Sequence, residues 1–130
     1  MSTVITQQKS IIVVDDEESV RTIVGRALQD SGYRVCTASS GIEALHLVAQ
    51  QHFDMMFLDI RMPGMSGLNV LSHMRRKYPD TIVVMLTAVT GQASQEEANQ
   101  QESFAYLTKP CNLGDITNVA NRMLCEDHMN

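Results

Sequence analysis

The chain has 130 residues, 44% of them hydrophobic and 19% charged, with a formal net charge of -5. That is room for one ordinary core, too apolar for a disordered chain, and too acidic for a nucleic-acid surface, which needs clustered Lys and Arg. Every apolar run breaks within about eight residues, short of a bilayer span, and residues 1–10 lack the apolar stretch of a secretory signal.

In chain order, residues 11–14 are a short β-branched run that acidic residues end abruptly, the first expected strand. Val20, Ile23, Val24, Ala27 and Leu28 then recur at i, i+3, i+4, i+7 and i+8, one face of a helix, with Gly32 placed to end it. Residues 33–38 form the second strand candidate. Ser40 and Glu43 fit a capping box that opens a helix carrying Ile42, Leu45, Val48 and Ala49. Residues 53–58 are the third strand, apolar except for Asp54. After the loop Arg61-Met62-Pro63-Gly64-Met65, Ser66 caps a helix expected to bury Leu68, Leu71 and Met74. Its end carries Arg75-Arg76-Lys77, which suits the negative end of the helix dipole better than it suits a phosphate-binding patch. Residues 82–86 and 105–107 are the fourth and fifth strands. Leu113, Ile116, Val119, Ala120, Met123 and Leu124 mark the closing helix.

Strands that are apolar nearly end to end are covered on both faces, which favours a parallel sheet between two layers of helices. The expected fold is therefore α/β, an open doubly wound sheet of five parallel strands. No linker or repeat divides the chain, so one domain is expected over residues 9–126, with a flexible leader over 1–8 and a tail over 127–130. Cys36, Cys111 and Cys125 form no CxxC pair and no metal spacing, and are expected as reduced thiols of a cytoplasmic protein. His46, His52, His73 and His128 are scattered without metal-ligand spacing or a carboxylate partner, and are expected at or near the surface. The nine methionines are expected to fill core and loop gaps.

In such a sheet, ligands bind beyond the carboxyl ends of the strands. Asp15 and Asp16 close the first strand, Asp59 the third and Thr87 the fourth, while Lys109 follows the fifth. Three carboxylates brought together repel one another unless a cation neutralises them. Their hard oxygens suit Mg²⁺, with Mn²⁺ as a substitute, better than Zn²⁺, because no His or Cys stands at these strand ends. A carboxylate can also attack phosphorus to form an acyl phosphate, with catalysis supplied mainly by positioning and charge neutralisation.

Four segments carry a more specific resemblance. Ile11-Ile12-Val13-Val14-Asp15-Asp16-Glu17, Leu58-Asp59-Ile60-Arg61-Met62-Pro63-Gly64-Met65-Ser66-Gly67, Leu86-Thr87-Ala88 and Tyr106-Leu107-Thr108-Lys109-Pro110 resemble the motifs of response regulator receiver domains, in order and spacing. The resemblance implies a flavodoxin-like strand order 2-1-3-4-5. It implies Asp59 as phosphoacceptor, with Asp15, Asp16, Asp59 and the main-chain carbonyl of Arg61 holding Mg²⁺. Thr87 and Lys109 would contact the phosphoryl group, and a cis bond would join Lys109 to Pro110. Thr87 and Tyr106 would form a switch acting on the helix before the fifth strand, that strand, and the closing helix. Arg61 and Val89 occupy positions that tune phosphate lifetime in this family. The implied partner is a sensor histidine kinase or phosphotransfer domain, with an output domain or protein that the sequence does not identify, a phosphorylation-dependent homodimer as one form of output, and no direct contact with nucleic acid or membrane.

One stretch departs from the family pattern. Residues 92–101 read Gln92-Ala93-Ser94-Gln95-Glu96-Glu97-Ala98-Asn99-Gln100-Gln101, and Glu102-Ser103 replaces the usual Gly-Ala pair before the fifth strand. Ser94 and Glu97 can cap a helix there, but only alanines would hold it to the sheet. A short or mobile helix over 94–102 and a polar but ordered one fit these residues equally well. Two other functions are weighed against the switch. An aspartyl-phosphate hydrolase of the haloacid-dehalogenase type needs a general acid two residues after the nucleophile, and Arg61 there cannot donate a proton at neutral pH. A binding-only pseudo-receiver would lack part of the acidic cluster, which is complete here. The chain is therefore not expected to turn over an external substrate.

Overall fold

The computed structural model describes residues 8–60, 64–87, 105–108 and 113–125. Among these, β1 (Ser10–Val14), α1 (Glu18–Asp30), β2 (Arg34–Ala38), α2 (Gly41–Gln50), β3 (Met55–Asp59), α3 (Gly67–Lys77), β4 (Ile82–Thr87), β5 (Ala105–Thr108) and α4 (Leu113–Cys125) follow in order, each numbered among the described elements. All strand pairs are parallel, in the order β2-β1-β3-β4-β5. The expected helix over 94–102 lies outside the described residues, as do Arg61, Val89, Lys109 and Pro110.

The unbroken apolar character of β1 and β3 has the expected cause. Alternate side chains of a strand point to opposite faces, and here each face has its own core. Ile12, Val14, Met56 and Leu58 pack with Val48, Val70, Leu71 and Met74 of α2 and α3. Ile11, Val13, Met55 and Phe57 pack with Val24 and Leu28 of α1 and Ile116, Val119 and Ala120 of α4. Each such fully buried side chain contributes about 1.5–3 kcal/mol of transfer free energy. A sheet with one wet face would not bury all five residues of β3.

The helix faces are narrower than the spacing predicted. Ile23 and Ile42, both expected on buried faces, are 51% and 59% exposed. In α1 the sheet instead meets Val24, Gly25 and Leu28, and in α2 it meets Ala44 and Val48, while Gly41 faces Val70 of α3 and Met65. A methyl group on Gly25 would touch Val35 and Thr37 of β2 at 3.5 and 3.8 Å. Ala49 is exposed and Leu68 half-buried, while Val70 takes the buried place in α3. Leu113, at the first turn of α4, is also exposed.

Helix ends follow the sequence signals closely. Gly32 has φ +101 and ends α1, its N–H donating to the Gln29 carbonyl while Tyr33 N–H donates to Leu28. This is the double bond of a Schellman motif. Ser40 Oγ accepts from Glu43 N–H at 3.1 Å, but the return bond is shifted by one residue. Glu43 Oε1 accepts from both the N–H and the hydroxyl of Ser39, at 2.7 and 2.8 Å. Ser66 caps α3 through the N–H of Asn69, and Arg75, Arg76 and Lys77 occupy its last turn, where cations oppose the carbonyl dipole.

The amino ends of the strands are joined by polar side chains. Asp54, the one polar residue in the third apolar run, accepts from Ser10 N–H at 2.8 Å through Oδ2 and clamps β1 to the segment before β3. Its Oδ1 lies 3.2 Å from His52 Nε2, so the expectation that no histidine has a carboxylate partner is corrected for His52. The two are separated by a single residue, just before β3 begins. Thr81, buried before β4, donates its hydroxyl to the Phe53 carbonyl at 2.7 Å. Thr81→Val keeps the shape and leaves that carbonyl without this donor. It is expected to destabilise by about 1–2 kcal/mol, read as a lower urea midpoint at unchanged slope.

Candidate functional site

Register brings the acidic residues together. β1 and β3 are neighbours with Val14 opposite Leu58, so the residues that follow, Asp15 and Asp59, emerge side by side. Here strand order reverses, because the chain leaves β1 towards β2 on one side and reaches β3 on the other. A crevice at such a switch point is where doubly wound sheets bind ligands. One oxygen from each of Asp15, Asp16 and Asp59 lies within 4.8 Å of the others.

Their environments differ. Asp15 is fully buried and Asp59 is 6% exposed, whereas Asp16 faces solvent. Several bonds fix Asp15: its N–H donates to the Ala38 carbonyl at 3.1 Å, its Oδ1 accepts from Glu17 N–H at 3.0 Å, and its carbonyl accepts from Arg21 Nη1 at 2.8 Å. On the other side, Ile60 N–H donates to the Leu86 carbonyl at 3.1 Å, and Gly67 N–H donates to the Ile60 carbonyl at 2.9 Å. These bonds pin the chain just after Asp59 to β4 and to the start of α3.

Buried like charges this close are costly without a counter-cation. The donor set is all oxygen and one carboxylate is open to solvent, which suits an ion that keeps part of its water shell, as Mg²⁺ does. The residues present therefore fit that metal.

Thr87 ends β4 and pairs in register with Thr108 of β5, while Tyr106 pairs with Met85. Leu86, one residue before Thr87, is opposite Asp59, so the backbone brings Thr87 to the same end of the sheet as the carboxylates. The predicted roles of Arg61, Lys109 and Pro110 fall outside the described residues. Arg21 and Ser39 were not singled out by the sequence patterns. Side-chain bonds to backbone groups leave no periodic trace, and the one available signal was a cation in the first turn of α1, where the helix dipole disfavours it.

Glu43 lies in the first turn of α2, beside this end of β2. The Ser39 N–H, then the Ser39 hydroxyl, hold its carboxyl below the ordinary carboxylate range, with Arg21 adding a smaller pull against partial burial. A lowered folded pKa gives stability that is present above the unfolded value and lost as pH falls through the folded one. Glu43→Gln should thus lower the melting temperature near neutral pH, with the gap closing as the pH falls through the lowered folded value. A gap that widened on acidification would contradict the assignment. The effect is small because the group is exposed.

The fold and the carboxylate cluster define a doubly wound α/β protein with an acidic, metal-competent site at its switch point. The family model for the response regulator receiver domain matches residues 11–121, and the chain belongs to that family, the receiver domains of two-component systems. It is 37% identical over 124 residues to the alginate biosynthesis transcriptional regulatory protein AlgB of Pseudomonas aeruginosa, covering 95% of this chain and 28% of that protein. It is 35% identical over 118 residues to the DNA-binding transcriptional regulator NtrC of Escherichia coli, covering 90% of this chain and 25% of NtrC. The chain thus spans about a quarter of the length of these curated relatives. Among solved structures, chemotaxis protein CheY4 of Vibrio cholerae superposes with a TM-score of 0.82 at 32% identity, covering 89% of this chain and 98% of that one. Among the described residues, no helix is long and apolar enough to cross a membrane.

Proposed function

We propose that Asp59 accepts a phosphoryl group from a phosphohistidine on a sensor histidine kinase or phosphotransfer domain. The observation that carries this reading is the placement of Asp59, nearly buried at the end of β3, within 4.8 Å of Asp15 and Asp16. A carboxylate oxygen of Asp59 attacks phosphorus, the P–N bond breaks, and the imidazole leaves with the electron pair, yielding an acyl phosphate. Asp15 and Asp16, with the Arg61 carbonyl, would complete the oxygen set for Mg²⁺. When bound, that ion neutralises charge on the transferring oxygens and so lowers the barrier. Thr87 would donate its hydroxyl to the phosphoryl group, and Lys109 would supply a second positive charge beside it.

Phosphorylation changes the charge at one end of the sheet. Thr87 shares that end with β5, which carries Tyr106, so the change is transmitted to β5, to the segment before it, and to α4. A partner or output domain reads that surface. The names of AlgB and NtrC, both transcriptional regulators, support control of transcription as the output. The cytoplasm is the compartment proposed for the exchange, and the chain catalyses only its own phosphorylation and dephosphorylation. The test is incubation with acetyl phosphate and Mg²⁺ followed by intact mass. One phosphoryl group per chain is expected, and an unchanged mass under several small phosphodonors would overturn the proposal.

A further inference from the structure

The loop that carries Asp15 and Asp16 is anchored to its helix in an unusual way. Glu17, the N-cap of α1, makes no side-chain capping bond, so the usual device for anchoring such a loop to its helix is missing. In its place, Arg21 reaches back from the first turn of α1 and donates Nη1 to the Asp15 carbonyl at 2.8 Å. Its own N–H donates to the Glu17 carbonyl at 3.1 Å, beginning the helix. A cation in the first helical turn works against the dipole, so helix stability does not account for it. The neighbouring charges do, because that carbonyl belongs to the residue whose carboxylate gathers with those of Asp16 and Asp59.

We infer that Arg21 is a positioning residue for metal binding: it holds the main chain of Asp15 so that Asp15 and Asp16 stay beside Asp59 while no cation is bound. This rests on the proposed Mg²⁺ site. Mutual repulsion of the carboxylates pushes the β1–α1 loop away from β3. The Glu17 N–H holds only the carboxylate of Asp15, and the Ala38 carbonyl holds only its N–H. Arg21 closes the third side, through a charge-assisted bond stronger than a neutral one. Groups that orient metal ligands without touching the metal typically carry about 10- to 100-fold in affinity.

The experiment titrates the full chain, Arg21→Gln and Arg21→Lys with Mg²⁺ by calorimetry. It then measures phosphorylation by acetyl phosphate as a function of Mg²⁺. Arg21→Gln is expected to bind Mg²⁺ about tenfold more weakly and to regain the unsubstituted rate at saturating Mg²⁺. Arg21→Lys, which keeps a charged donor, is expected to recover most of the affinity. A residue that served stability alone would lower the metal-free melting temperature and leave that affinity intact.

Equal Mg²⁺ affinity in the unsubstituted chain and Arg21→Gln overturns the inference and leaves the receiver reading standing. So does a rate deficit that saturating Mg²⁺ does not restore, or a metal-free melting temperature lowered by more than about 10 °C. Failure of the unsubstituted chain to bind Mg²⁺ at all removes the proposed metal-assisted phosphoacceptor role and this inference together.

Discussion

Asp59→Asn is expected to reduce the phosphoryl adduct to the detection limit while leaving the fold intact. The substitution is close to isosteric, so the nearly closed space around Asp59 is retained. What it removes is charge and nucleophilicity: a carboxamide oxygen is a poor attacking group, and no acyl phosphate forms. The same change relieves part of the repulsion among the three carboxylates. The metal-free variant should therefore melt at a temperature equal to or above that of the unsubstituted chain, an outcome that separates loss of chemistry from loss of structure. Weaker Mg²⁺ binding should accompany it, since one of three anionic ligands is lost. Intact mass after acetyl phosphate treatment, with peptide mapping of any residual adduct, decides the matter. A full adduct that persisted in Asp59→Asn would move the acceptor to another residue, and Asp16 would be the first to examine because it is exposed.

Much of this site was legible in the sequence because strand ends are marked by a change of chemistry. Apolar runs that stop abruptly at Asp15 and Asp59 read as parallel strands ending in a crevice, and β1–β3 pairing turns two distant stops into one cluster. Helix faces were less legible. A spacing of three and four marks a stripe, but Ile23 and Ile42 stand at its solvent edge while glycine and alanine make the close contacts. Hydrophobicity alone undervalues small residues, whose contribution is proximity. The bonds from Arg21 to a carbonyl and from Ser39 to Glu43 leave no repeat in the sequence, since such contacts depend on where the loop turns. The His52 partner is hidden for a related reason: in the sequence Asp54 shows only as an interruption of a strand.

Close approach matters most at Gly67, where Gly67→Ala is expected to be among the most damaging single-atom changes in the protein. A Cβ at this position would lie 2.3 Å from the Asp59 carbonyl oxygen and 2.7 Å from the Ile60 Cα. Both are backbone atoms, so no rotamer change relieves the collision. α3 begins here because the Gly67 N–H donates to the Ile60 carbonyl at 2.9 Å, and that bond requires the close approach. Either the helix start moves outward and loses the bond, or the end of β3 shifts and carries Asp59 with it. The expected cost is about 3 kcal/mol, a fall in melting temperature of about 10 °C. Gly41 supplies the comparison. Its added Cβ would meet Val70 Cγ2 at 2.8 Å and Met65 side-chain atoms at 3.2 Å, and side chains can yield where backbone cannot. Gly41→Ala should accordingly cost less, and the phosphorylation rate of the folded fraction should fall only in Gly67→Ala, because only there does the clash reach the backbone of Asp59. A Gly67→Ala variant as stable and as readily phosphorylated as the unsubstituted chain would show that the β3–α3 junction has slack, and that the position of Asp59 does not depend on it.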